Sequence, residues 1–156
     1  MDADKARAGL TGGCQCGAIR YVVTAAPRGS SICHCRMCQK AGGAPFMAFT
    51  GVPAPDFVIT RGTIATFASS DIADRGFCAA CGTPLTYVRK GADHVSLTIG
   101  SFDRPRDVAP KFQLGVESRL PWFAGLAALP EMTVGTWLAA NNIEEVGDRQ
   151  HPDHET

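Results

Sequence analysis

Seven cysteines stand in three short groups: Cys14 and Cys16 in GGCQCG, Cys33, Cys35 and Cys38 in CHCRMC, and Cys78 and Cys81 in CAACGT. Thiolates two or three residues apart in a tight turn converge on one tetrahedral ion. A glycine just after the last of them permits the bend that turns backbone N–H groups toward the sulfurs, and Gly17 and Gly82 stand at those places. Buried inert cysteines, or a redox pair, would not cluster in this way. Seven ligands cannot fill two closed four-sulfur sites, so one site must be short. The natural partition joins Cys14 and Cys16 to Cys78 and Cys81, because two turns about 60 residues apart clamp distant strands. That site is closed and structural, and its zinc contributes about 10 kcal/mol or more to folding. Cys33, Cys35 and Cys38 then form a tripod whose fourth position is left for water or substrate, the arrangement of a catalytic zinc. Two zinc ions per chain are expected.

The tripod's charge indicates its chemistry. Three thiolates on a divalent ion leave a net charge of minus one, which weakens the ion as a Lewis acid for hydrolysis. A soft, sulfur-rich zinc is suited instead to taking a fourth sulfur, so that an incoming thiol loses its proton beside an electrophile. Carbon–sulfur bond making or breaking is the favoured reaction class. Arg36, Lys40 and Arg75 flank the cysteine motifs and can soften the negative tripod or pair with substrate carboxylates, although exposed cations usually only solvate a surface. His34, between two ligand cysteines, is expected to point away from the metal, with a general-base role as the alternative. His94, His151 and His154 lack spaced partners and are read as surface residues. Trp122 and Phe123 are expected in the core, with a pocket wall as the alternative.

These groups must be positioned by short strands. Ala18 to Thr24 alternates apolar and polar residues, and similar runs recur at Phe57 to Thr60, Thr63 to Phe67, Leu85 to Arg89 and Val95 to Ile99. Seventeen glycines and ten prolines punctuate them in segments such as GVPAP and DRPRD. Helix is expected only around Arg36 to Ala41 and Thr136 to Asn142. A single domain over 12–142 is expected, with 1–11 and 143–156 as flexible termini. Fifteen basic and fifteen acidic residues give no net field toward nucleic acid or an anionic membrane. The segment MDADKARAGL has no apolar run, no stretch approaches a membrane span, and the reduced-thiol chemistry suggests the cytoplasm.

The motifs in order are GGCQCG, CHCRMC followed by GGAPF, RGFCAACGTPLTY, VSLTIGSFD and SRLPWF. Over about residues 11–130 this order resembles the glutathione-dependent formaldehyde-activating enzyme family, also called the centromere protein V family. The resemblance implies a mainly β, Mss4-like antiparallel fold with little helix. It also implies a structural zinc on Cys14, Cys16, Cys78 and Cys81 and a catalytic zinc on Cys33, Cys35 and Cys38. The implied activity joins glutathione or a similar thiol to a small aldehyde such as formaldehyde. The family pattern often has a histidine in the strand before SR-x-PW, where this chain has Gln113, which cannot shuttle a proton. The alternatives are a non-catalytic Mss4-like zinc binding module and, more remotely, a redox or metal sensor built on the open thiolates.

Overall fold

The computed structural model describes residues 9–155. Three strands, β1 (Leu10–Gly13), β2 (Arg20–Val23) and β5 (Phe57–Arg61), form a small antiparallel sheet in the order β1-β2-β5. The larger sheet contains β3 (Arg28–Cys33), β4 (Met47–Pro53), β6 (Ala65–Ser70), β7 (Ala73–Phe77), β8 (Pro84–Arg89), β9 (His94–Thr98) and β10 (Phe112–Leu114). Its order is β10-β3-β4-β9-β8-β7-β6, antiparallel throughout except for β10, which lies parallel to β3. Two short α-helices, α1 (Arg36–Gly42) and α2 (Val134–Ala140), complete the regular elements, with five 3-10 turns between them. The chain is mainly β with little helix, as its punctuation by glycine and proline implies.

Strand alternation builds the core. Ile19, just before β2, and Tyr21 and Val23 on it are buried in one cluster with Val52, Leu85, Leu97 and Phe102, and Cys14 and Cys78 belong to it. Tyr21 packs edge-on against Phe57 and Phe102, and its hydroxyl meets Ser101 Oγ at 2.8 Å, so the one polar atom of a fully buried ring is satisfied. A second cluster holds Cys33, Cys38, Met47 and Phe49, with Cys35 and Tyr87 against it. Each cysteine group is thus seated in its own apolar cluster, at a different part of the sheets.

Five strands lie outside the runs expected from alternation: β1, β3, β4, β7 and β10. β3 reads RGSSIC and buries two serines, with Ser30 Oγ 2.8 Å from Thr50 Oγ1 on β4. The end of β4 runs into GVPAP, where the punctuation implies a turn.

Residues 1–8 of the expected leader lie outside the described residues; of the rest of the two expected termini, some residues join the fold. Leu10 and Thr11 are paired with Val23 and Val22, so the ordered sheet begins before residue 12. The polar tail also docks: His151 N donates to Gln15 O at 2.7 Å, and Arg20 Nη2 donates to His154 O at 3.1 Å. Its contacts are made by hydrogen bonds and charge rather than apolar burial, which a composition-based reading does not register. Between body and tail, the segment 119–149 leaves Trp122, Leu129, Met132, Val134 and Trp137 exposed. No helix among the described residues is long and apolar enough to cross a membrane.

Candidate metal centres

The first cysteine group is assembled from two turns. Cys14 N donates to Ile19 O and Gly17 N to Cys14 O, while Cys78 N donates to Thr83 O and Gly82 N to Cys78 O. Gly17 (φ 75°) and Gly82 (φ 79°) take the left-handed conformation that closes each turn. All four sulfurs lie within 4.8 Å of one another. Cys14 Sγ to Cys16 Sγ is 3.6 Å and Cys16 Sγ to Cys78 Sγ is 3.9 Å. Four sulfurs about 2.3 Å from one tetrahedral ion stand about 3.8 Å apart, so the donor set fits a zinc-like ion and lies far outside the ~2.05 Å of a disulfide. Ile19 N–H points at Cys14 Sγ from 3.2 Å, and the Thr83 hydroxyl lies 3.2 Å from Cys81 Sγ. Burial pushes the Cys14 thiol up to about 12. Desolvation also acts on Cys81, but hydrogen bonds from Thr83 and from Cys16 outweigh it and hold this thiol down at about 6.

The second group comes from one segment. β3 delivers Cys33, and Cys35 caps α1, its sulfur accepting from Cys38 N at 3.4 Å. The three sulfurs lie within 4.8 Å of one another. Burial pushes Cys33 up to about 12 and raises Cys38 as well, the latter against the opposing pull of Arg75. For Cys35, desolvation is outweighed by the Cys38 amide and its neighbours, and its pKa is lowered. Ionising the two buried thiols in this setting calls for a cation among them. Both clusters can therefore hold a metal ion.

Cys33, Cys35 and Cys38 line a cavity of about 410 Å3, whose walls include Phe49, Tyr87 and Leu114. Arg75 forms part of the same wall. It is only 9% exposed, and its guanidinium donates to Cys38 Sγ at 3.3 Å and to Ser69 Oγ at 3.1 Å, while lying 5.0 Å over the Tyr87 ring. Of the three cations flanking the motifs, Arg75 contacts the tripod. Arg36 instead donates to Gln39 Oε1 at 3.1 Å, and Lys40 lies at the surface on the last turn of α1.

His34 is fully buried and does not line the tripod cavity. Its ring packs on Phe46 and Phe123, and its Nε2 lies 2.9 Å from Gln113 Oε1. An amide oxygen only accepts, so His34 keeps its proton on Nε2, and Nδ1 is left buried without a partner. His34 and Gln113 together therefore lock the loop between Cys33 and Cys35 to β10, which corrects the general-base alternative. The core expectation is also corrected for Trp122, which is 52% exposed; Phe123 is half-buried against His34 and Phe46. Trp122 instead walls a shallow surface cavity with Arg36 and Lys40. His94 is at the surface beside Asp93, as expected, whereas His151 packs over Gly17.

Gly115 is a residue that spacing does not reveal. Its φ is 67°, and a Cβ there would lie 2.7 Å from Cys35 N, so the chain after β10 passes directly against the tripod. His34 N donates to Leu114 O at 2.8 Å beside it. A glycine in LGVES carries no cysteine-like signal, and its role appears only when β10 joins β3.

Comparison with known proteins adds the following. The profile of the glutathione-dependent formaldehyde-activating enzyme family matches residues 9–118. An uncharacterized lyase of Schizosaccharomyces pombe is 37% identical over 76 residues, which are 49% of this chain and 55% of that protein. The chain thus matches about half the length of this relative. A crystal structure of a Rhodobacter sphaeroides protein aligns with a TM-score of 0.52 at 19% identity, covering 66% of this chain and 98% of that one. That likeness shows a shared fold.

Proposed function

Because this chain belongs to the glutathione-dependent formaldehyde-activating enzyme family, we propose that it is a zinc-dependent, carbon–sulfur lyase-type enzyme joining a thiol to a small aldehyde. Glutathione or a similar thiol, and formaldehyde or a similar aldehyde, are the proposed substrates. The observation that carries this reading is that Cys33, Cys35 and Cys38 all line one cavity, large enough for a small ligand. Cys14, Cys16, Cys78 and Cys81 would hold a structural zinc, and Cys33, Cys35 and Cys38 the catalytic one. When bound at the tripod, zinc supplies a soft position where a thiol is ionised near neutral pH.

The remaining chemistry belongs to the chain. Arg75 supplies one positive charge against the tripod's net negative one, so that a further anion is less strongly repelled. Phe49 and Leu114 reduce water around the reacting atoms, while Ser31, Ser96 and Tyr87 bring hydroxyls to the cavity wall for a carbonyl oxygen. The reducing cytoplasm suits seven unpaired cysteines. Balanced charge gives no reason to expect nucleic acid as a partner.

The test follows zinc content, circular dichroism and thiol-dependent loss of free aldehyde while a chelator is titrated. Activity should leave with the first zinc while the fold persists. Cys35→Ser should keep the fold and lose turnover, whereas Cys78→Ser should lose folded protein. A metal-loaded parent without thiol-dependent loss of any small aldehyde would sink the enzyme reading. The non-catalytic zinc binding module would then take its place, a reading favoured by the exposed Trp122, Leu129 and Trp137.

A further inference from the structure

A second cavity, of about 600 Å3, adjoins the one over the tripod, and the two share Met37 and Arg75 as a common wall. Its polar lining is one-sided. Lys40 and Arg75 contribute two cations, Ser69 and Thr86 contribute hydroxyls, and no acidic side chain lines it. The other lining residues are apolar side chains and glycines, so the lining holds no carboxylate to pair with the cations.

Arg75 has donor capacity left over. A guanidinium carries five N–H donors. Here Nε reaches Ser69 and Nη2 reaches Cys38, but Nη1 meets only the thioether of Met47 at 3.8 Å, a weak acceptor. No carboxylate pairs with Arg75 among the described residues. A buried cation is costly unless it is paired, and the tripod balances it on one side only. Planar guanidinium and carboxylate groups match each other geometrically.

We propose that this second cavity takes a carboxylate of the thiol substrate, held by Lys40 and Arg75 with the Ser69 and Thr86 hydroxyls, and so selects anionic thiols over neutral or cationic ones. The inference rests on reading the tripod as the thiol site. One molecule then spans both cavities, its sulfur at the cysteines and its carboxylate across the Met37–Arg75 wall.

The test uses the zinc-loaded full chain and two probes without a free thiol, S-methylglutathione and its diethyl ester, in which both carboxylates are masked. Binding is followed by calorimetry. The parent should prefer the acid over the ester by about tenfold, and added salt should erode that preference. Lys40→Glu should cut acid binding by about fivefold to tenfold without weakening binding of the ester, whose remaining charge is its ammonium group. Lys90→Glu makes the same change of net charge just beyond β8 and should preserve the preference. Equal binding of acid and ester by the parent, or no binding of either, overturns the proposal. So does a Lys40→Glu variant that keeps the preference, or a Lys90→Glu variant that loses it. Turnover is scored separately: an intact preference without any thiol-dependent turnover fails the enzyme reading alone, and turnover without the preference fails this inference alone.

Discussion

Replacing Arg75 by methionine removes the tripod's internal countercharge while keeping an unbranched side chain of similar length. The guanidinium lies 3.3 Å from Cys38 Sγ and is almost wholly buried. At that separation and an effective dielectric of about 20, a unit charge pair is worth about 5 kcal/mol. Burying the guanidinium opposes this, and hydrogen bonds to charged groups contribute about 1.5–3 kcal/mol net. Taking about 2 kcal/mol, Arg75→Met should weaken metal binding by the tripod about thirtyfold. The assay is chelator competition with zinc counted per chain. The four-cysteine group, which Arg75 does not touch, serves as an internal standard. Only one of two release steps should move to lower chelator concentration. Arg75→Lys restores a point charge without the planar fork and should recover part of the shift. Superimposable release curves for the parent and Arg75→Met would refute the countercharge argument. A lysine variant as weak as the methionine variant would assign the effect to guanidinium geometry rather than charge.

Two other perturbations follow from single contacts. Gly115→Ala places a Cβ against the Cys35 backbone in a conformation costing an L-residue about 1–2 kcal/mol, so the variant should release tripod metal at lower chelator concentration, with the four-cysteine metal unchanged in the same titration. Asp103 accepts from Arg20 Nη1 at 2.9 Å and Nη2 at 2.6 Å, and although burial raises its pKa, Arg20 and Thr11 bring it below the usual carboxylate value. A lowered folded pKa means the stabilisation is present above the unfolded value of about 3.9 and lost as pH falls through the folded one. Asp103→Asn should therefore cost about 3 kcal/mol at neutral pH by leaving buried Arg20 with only the half-exposed Glu155 carboxylate, 3.4 Å away, as countercharge, a deficit that shrinks below about pH 4. Denaturant unfolding of both proteins from pH 7 to pH 2 checks this, and a pH-independent difference would contradict it.

The sequence made some features legible because few physical solutions satisfy them. Seven cysteines in three turns leave one economical way to divide the ligands, and the turn glycines Gly17 and Gly82 have the positive φ that their positions imply. The strands Arg20–Val23 and His94–Thr98, rich in β-formers and falling within two of the expected apolar runs, are equally visible. The hidden features depend on pairing at long range. β3 carries a buried Ser30 whose hydroxyl is met by Thr50 on β4, and β7 carries Arg75, which reads as a surface cation until Cys38, 37 residues away, is brought to it. Gln113 reads as the loss of a proton carrier; in the fold its amide oxygen accepts a hydrogen bond from His34 Nε2 and fastens the ligand loop. The polar composition of the tail, likewise, says nothing of the hydrogen bonds that His151 and His154 make with Gln15 and Arg20.

The two cysteine groups differ most in what stands around their sulfurs. Distant turns supply the four-cysteine group, so its ligands exist as a set only once residues near 14 and near 80 have been brought together, and a metal there adds directly to the stability of the fold. A single segment supplies the tripod, and its rigidity must come from neighbours that are not ligands. β10 provides it: Leu114 accepts from His34, Gln113 accepts from the His34 ring, and Gly115 presses on Cys35. On the opposite side Arg75 and Tyr87 close in from β7 and β8. A site held from both sides by protein, yet facing a cavity with three sulfurs, can be opened to an incoming ligand without loosening the sheets that carry it. That separation of fold from site supports the proposal that the tripod, rather than the four-cysteine group, is where exchange and reaction take place.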